Sequence, residues 1–359
     1  MKIAISSLSD ISKNDGTSQR ARSVFELLQK KYDCTLIIRG EQHSKFENVT
    51  VIKPSKLWNF QLIPVFLKNR FDLVFCVSDF WGFFTYFILA RLFTFKIVFE
   101  AHGILSLEKE LRLRDPSPID KVRMETIKWR EKFAIKHADW VIALCSDICD
   151  YYGRFNKRIS LVPNFVDEIK FKPRKVRAEW KSDDGEGKTI GLIGPFFHND
   201  IRGSALDIVY TNIDEFNDDL KFVVIGKCDY EIQNERIRYT GYLNDFQDYV
   251  DTLTRLDAVL AATRFPTSGP PTKILEAMAC SVPVFTTPGG AIGLDYITAG
   301  EDILIYDESE MVAKINELLF KIDFLERVGK NARRTFEVYY STAANESKLF
   351  KVIDWVCSP

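Results

Sequence analysis

Several absences narrow the chemistry of this 359-residue chain. No Gly-x-Gly-x-x-Gly follows the opening apolar run Lys2–Ser7, which argues against a nicotinamide-type dinucleotide enzyme. No Asp-x-Asp occurs, although Asp183-Asp184 and Asp218-Asp219 stand as adjacent pairs. The seven cysteines (Cys34, Cys76, Cys145, Cys149, Cys228, Cys280 and Cys357) are odd in number. Cys145 and Cys149 could share a helix face, but no further His or Cys completes a zinc set. Others lie in apolar runs such as Val74-Phe75-Cys76-Val77, where a reduced thiol behaves as a small buried hydrophobe. A reducing compartment, the cytoplasm, is the expectation. Charge of one sign is also missing: 49 basic and 50 acidic residues leave −1, with no overall pull towards nucleic acid. There is no uninterrupted membrane-length run. The most apolar stretch, Phe80 to Phe99, is broken by Arg91 and Lys96 and divides into helix-like and strand-like halves. The start, Met1-Lys2-Ile3-Ala4-Ile5, enters a strand-like run directly and reads as no signal peptide.

What is present reads as an α/β enzyme of two domains, each about 150–180 residues. Strand-like runs alternate with helical spacing from the start: Lys2 to Ser7, a turn at Asp15-Gly16-Thr17-Ser18, then a helix from Arg20 to Lys31. A strand, a glycine turn and a helix N-terminus form the ligand-facing unit of open α/β sheets, which makes Gly16 a candidate ligand contact. Further strands are expected at Cys34 to Ile38, Val49 to Ile52, Asp72 to Val77 and Lys96 to Phe99. The last runs into Glu100-Ala101-His102-Gly103, where a parallel sheet places functional loops. Leu107 to Arg114 reads as a solvated helix or loop, and Met124 to His137 as a long helix. The charged run Lys170 to Lys188 precedes a second series of strands, beginning at Thr189 to Ile193 and including Phe222 to Gly226 and Ala258 to Ala261. Lys330 to Trp355 is expected to be mostly helical.

The most informative stretch runs from Thr267 to Val284. A Ser268-Gly269-Pro270-Pro271 loop opens a short helix at Thr272, and Ser281-Val282-Pro283 closes it before a strand. The free N–H groups and positive dipole end of such a helix make a natural anion site. At about 100° per residue, Ile274, Leu275 and Met278 point one way, and Lys273, Glu276 and Cys280 the other.

Together with Leu275-Glu276-Ala277-Met278-Ala279, Pro283-Val284, Thr287 and Gly289-Gly290, this run resembles the donor-site signature of retaining glycosyltransferases. The resemblance is to the large two-Rossmann-domain (GT-B) group, family 4-like. It implies two doubly wound domains facing across a cleft, with residues 1–167 on the acceptor side and 168–340 binding the nucleotide sugar. Residues 341–359 would then form a helix crossing back to the first domain. Val162-Pro163-Asn164-Phe165-Val166-Asp167 is similar to the family's hinge, and Ala138-Asp139-Trp140 to its alanine-aspartate strand.

The resemblance also assigns roles. His102 would face the sugar, and Glu276 would hold the donor's ribose hydroxyls. Arg202, standing with Gly203 in the place of a Lys-Gly pair, and Lys273 would neutralise the diphosphate. Tyr242 and Leu243 would touch the base, with Ser268, Gly269 and Thr272 in the donor loop and Gly16 as a further donor contact. Two positions depart from the pattern: Ser268 replaces a glutamate, and Pro195 replaces an arginine. The implied reaction moves a sugar from a UDP- or GDP-type donor to a glycan, lipid-linked or small-molecule hydroxyl. It proceeds with retention and without metal or cofactor. A catalytically weak or inactive nucleotide-sugar-binding subunit, and an epimerase or phosphorylase on the same fold, stay open as alternatives. Finally, Trp58, Phe60, Phe66, Trp81, Phe83, Phe84, Tyr86 and Phe87 lie close in sequence to Lys53, Lys56, Lys68 and Arg70. That pairing raises peripheral contact with the cytoplasmic membrane face through the region Lys53 to Arg70.

Overall fold

The computed structural model of the chain describes residues 1–7, 16–39, 48–52, 58–113, 116–173, 187–196, 204–263 and 269–358. Contacts divide it into two units: Met1–Phe165 with Thr342–Pro359, and Val166–Ser341.

The first unit holds seven parallel strands: β1 (Lys2–Ser7), β2 (Asp33–Arg39), β3 (Val49–Ile52), β4 (Leu73–Val77), β5 (Lys96–Ala101), β6 (Trp140–Ala143) and β7 (Ile159–Leu161). Their spatial order is β3-β2-β1-β4-β5-β6-β7, and every pairing is parallel. Such strands are covered on both faces and so are apolar nearly throughout, as Leu73–Val77 shows. The helices are α1 (Gly16–Leu28), α2 (Trp58–Lys68), α3 (Phe83–Phe93), α4 (Leu105–Arg112), α5 (Pro118–His137) and α6 (Ser146–Tyr152). The order reverses between β1 and β4, so the crevice beyond their carboxyl ends is where an open α/β sheet takes its ligand.

The second unit repeats the plan with β8 (Lys188–Ile193), β9 (Leu220–Ile225), β10 (Ile237–Gly241), β11 (Ala258–Leu260), β12 (Val284–Thr286) and β13 (Leu304–Ile305), ordered β10-β9-β8-β11-β12-β13. Its switch point lies between β8 and β11. The helices are α7 (Ala205–Thr211), α8 (Phe246–Arg255), α9 (Thr272–Ala279), α10 (Glu308–Leu318) and α11 (Ile322–Thr335); the last helix of the chain is α12 (Thr342–Cys357).

Three local readings change. Helix α1 starts at Gly16 rather than following a turn there. Helix α5 starts at Pro118, six residues earlier than periodicity suggests, because Ser117 and Asp120 form a reciprocal capping box with proline in the first turn. The helical stretch near the C-terminus is interrupted by a π-turn at Phe336–Tyr340 and extended Ser341. Phe336 and Tyr340 are buried in the second unit, and the Tyr340 hydroxyl accepts from the Tyr296 N–H at 3.1 Å. Helix α12 packs instead on α1 and β5 of the first unit, where Lys31 and Tyr32 each reach Asp354 at 2.7 Å. Among the described residues no helix is long and apolar enough to cross a membrane. Phe80 to Phe99 divides into α3 and β5.

Candidate active site

In the first unit, charge gathers at the carboxyl end of β5, one strand from the switch point. Glu100 is buried and its carboxylate meets Arg20 of α1 through two hydrogen bonds, Nε to Oε1 at 3.1 Å and Nη2 to Oε2 at 2.7 Å. Nε2 of His102 lies 2.7 Å from Oε1 of the same carboxylate. Burial alone would raise the Glu100 pKa. The Arg20 charge and the His102 hydrogen bond outweigh it and hold the carboxyl well below its ordinary range. An ionised carboxylate only accepts, so Nε2 of His102 is the donor. The Phe165 ring lies 4.0 Å from the Arg20 guanidinium carbon. A second buried carboxylate, Glu131 of α5, steadies the turn after His102. It accepts from the Ser106 hydroxyl and backbone N–H, and from the Tyr152 hydroxyl at 2.5 Å.

In the second unit, α9 places Lys273 and Glu276 beside the switch point. Both directions of α9 are covered: residues 274–279 are all buried, Glu276 to 3% exposure. The reason is tertiary. Helix α11 and the π-turn pack on α9, and Arg333 caps its last turn by donating to the Ala279 carbonyl. Tyr249 of α8 donates to Oε2 of Glu276 at 2.5 Å. Burial and the Glu276 charge push the Tyr249 hydroxyl pKa well up, so it remains a donor.

Lys273 extends its ammonium to the Ile193 carbonyl, the last of β8, at 3.2 Å. Among the described residues no carboxylate pairs with it, and desolvation lowers its pKa to about 8. A desolvated cation at the carboxyl edge, on the first turn of a helix, is suited to an anion.

The glycine segment following β12 supports this loop. At Gly293, where φ is +85°, an added Cβ would stand 2.6 Å from the Pro270 nitrogen, so only glycine allows the approach. Thr287 ties the same segment to Thr263 through its hydroxyl at 3.0 Å.

The structure thus places His102 at the β5 edge, Gly16 at the start of α1, and Gly269, Thr272, Lys273 and Glu276 at the α9 entrance. Tyr242 and half-buried Leu243 follow β10. Arg202 and Ser268 lie outside the described residues. Sequence reading missed Arg20, Glu100 and Tyr249. A glutamate inside the apolar run Ile97-Val98-Phe99-Glu100-Ala101 was the available signal, since a charge there must find a buried partner.

Residues 187–321 match the family Glycosyl transferases group 1, and residues 16–169 match Glycosyltransferase Family 4. No curated protein sequence matches the chain. Among solved structures, HepE from Anabaena in complex with UDP and glucose is 14% identical, with 99% of each chain covered and a TM-score of 0.77. Sucrose-phosphate synthase from Thermosynechococcus elongatus is 15% identical, covers 99% of this chain and 98% of its own, and has a TM-score of 0.78. WaaG, a glycosyltransferase involved in lipopolysaccharide biosynthesis, is 12% identical, with 98% and 99% covered and a TM-score of 0.67. At these identities the likeness establishes a shared fold. With one family domain on each unit and the two doubly wound sheets of the GT-B architecture, the chain belongs to the group 1 and family 4 glycosyltransferases.

Proposed function

We propose that this enzyme transfers a sugar, with retention at the anomeric carbon, from a nucleotide-diphosphate donor to a hydroxyl of a glycan or lipid-linked acceptor, with no resident cofactor. The observation that carries the reading is Lys273: a desolvated ammonium without a carboxylate partner among the described residues, at the carboxyl end of β8. Neighbouring strands stand about 4.8 Å apart, so β8 and β10 are separated by roughly 10 Å. A nucleoside diphosphate spans that distance, with its phosphates at Lys273 and its base towards Tyr242 and Leu243. Glu276, one turn further along α9 than Lys273, would accept from ribose hydroxyls. The leaving diphosphate gains charge as the glycosidic bond breaks. Lys273, the α9 N-terminus and Arg202 would stabilise that charge more in the transition state than in the ground state. The binding of UDP and UDP-glucose by HepE supports a donor of this type.

The test is UDP and GDP binding by calorimetry, with a thermal-shift panel of nucleotide sugars. Binding should be strongest below about pH 8, where the ammonium is charged, and weaken as pH rises through its pKa. One unit above that value affinity falls by up to about tenfold. Lys273→Arg, which keeps its charge, should remove this pH dependence. Equal pH dependence in both proteins would move the phosphate site elsewhere.

A second reading concerns where the acceptor is met. Three of the eight expected aromatics are core: Phe66, Phe83 and Tyr86 are buried. The other part is surface. Phe60 and Leu67 of α2 and Phe84 and Leu92 of α3 are exposed, as is Trp129 of α5, and α3 packs against both α2 and α5. Lys68, Arg70 and Arg91 lie exposed among them, whereas Lys53 and Lys56 fall outside the described residues. We propose that this face rests on an anionic lipid surface. The protein should co-sediment with anionic vesicles at low salt and less with neutral vesicles or at high salt, and Leu67→Glu with Leu92→Glu should abolish the binding. Absence of binding to anionic vesicles at low salt would point to a soluble acceptor.

A further inference from the structure

We propose that Glu100 and Arg20 are positioning residues: they fix the tautomer and orientation of His102, so that Nδ1 is offered as an acceptor to a hydroxyl of the transferred sugar. The proposal rests on the reading of His102 as a residue that faces that sugar.

Both Glu100 oxygens are held by the planar fork of Arg20, at 3.1 and 2.7 Å, so the group cannot rotate without breaking a buried bond. Arg20 is itself restrained, with its side chain 1% exposed and the Phe165 ring against the guanidinium. Oε1 then receives the Nε2 proton of His102 at 2.7 Å. In a neutral imidazole with the proton on Nε2, the lone pair must be on Nδ1. Among the described residues nothing hydrogen-bonds to Nδ1, and the ring is 18% exposed, the most accessible member of the three.

Charge balance points the same way. Arg20 already neutralises Glu100, so the pair needs a hydrogen-bond donor at Oε1 rather than a second cation. Stability is a poor reason to keep such a pair, because buried ion pairs can often be replaced by apolar side chains without loss. Orienting a histidine at the carboxyl edge of a ligand-binding sheet is a use that apolar residues could not supply.

The test is nitrogen-15 NMR of the imidazoles in the full-length protein, with the His102 signals assigned by their loss in His102→Gln. At alkaline pH the parent should show a single Nε2–H tautomer with a slowly exchanging proton. In Arg20→Met/Glu100→Leu the tautomers should mix, and turnover of the nucleotide sugar that most raises the melting temperature should fall about tenfold or more with KM little changed. Mixed tautomers or a doubly protonated ring in the parent would overturn the proposal. So would a double variant that folds, keeps the single tautomer and keeps its turnover. If the double variant fails to fold, the parent spectrum alone decides. Unchanged turnover in His102→Gln would instead overturn the assignment of His102 to the sugar, separately from the tautomer result.

Discussion

Glu100→Gln should destabilise the first unit by about 3–5 kcal/mol, the range for breaking a buried ion pair from one side. Glutamine keeps the volume but leaves the Arg20 guanidinium buried without its counter-charge, at a site where both side chains are at most 1% exposed. Urea unfolding would measure it as a shift in the midpoint of the transition that reports this unit. Arg20→Met/Glu100→Leu should recover most of the loss, because neither charge then remains to be buried. The folded-state pKa of Glu100 is lowered, so its stabilising contribution is present above the ordinary carboxylate value and is lost as pH falls through the folded value, about 2. The Gln variant should therefore lose most relative to the parent near neutral pH. A loss under 1 kcal/mol there would mean that the guanidinium reaches water once its partner is neutral.

The second large effect is expected at Glu276. Glu276→Gln preserves size and can still accept from the Tyr249 hydroxyl, so the core around α9 should stay intact. It removes the charge proposed to hold donor hydroxyls. Loss of a charge-assisted hydrogen bond corresponds to about 1.5–3 kcal/mol of transition-state binding. Tyr249→Phe provides the comparison, since it removes one hydrogen bond to the carboxylate without altering its charge and should cost less. Measured kcat/KM for the donor at limiting concentration checks both. Equal rates for the parent and Glu276→Gln would make Glu276 a core residue held by Tyr249, and nothing more.

Much of the first unit could be read from local pattern. Lys2–Ser7 and Leu73–Val77 are strands where the apolar runs place them, because a parallel strand covered on both faces has little choice of residue. Helix ends were less legible. The capping box at Ser117 lies outside the apolar period, and the π-turn at Phe336 has none of the glycine or proline that punctuates a helix. In the second unit the run from Gly269 to Val284 marked the candidate donor segment, while the surroundings of Glu276 were not legible. A helical wheel gives the direction of a side chain but not what lies there, and here Tyr249, 27 residues earlier in the chain, lies there.

By itself, the sequence determined the α/β class, the alternation of strands and helices, and the stretch around Lys273 and Glu276, because each depends on spacing within one or two turns of chain. Only the tertiary structure decided which charges meet. Arg20 and Glu100 are 80 positions apart, and no periodicity relates a residue of α1 to the end of β5, the fourth strand after it. They meet because β1 and β5 both flank β4 in a sheet whose order differs from chain order. The same applies to Lys273 and Ile193, also 80 apart, brought together where β8 adjoins β11. Burial then sets their chemistry. Desolvation lowers the Lys273 pKa, and the Arg20 charge holds Glu100 ionised, effects that exist only once the surrounding chain has excluded water.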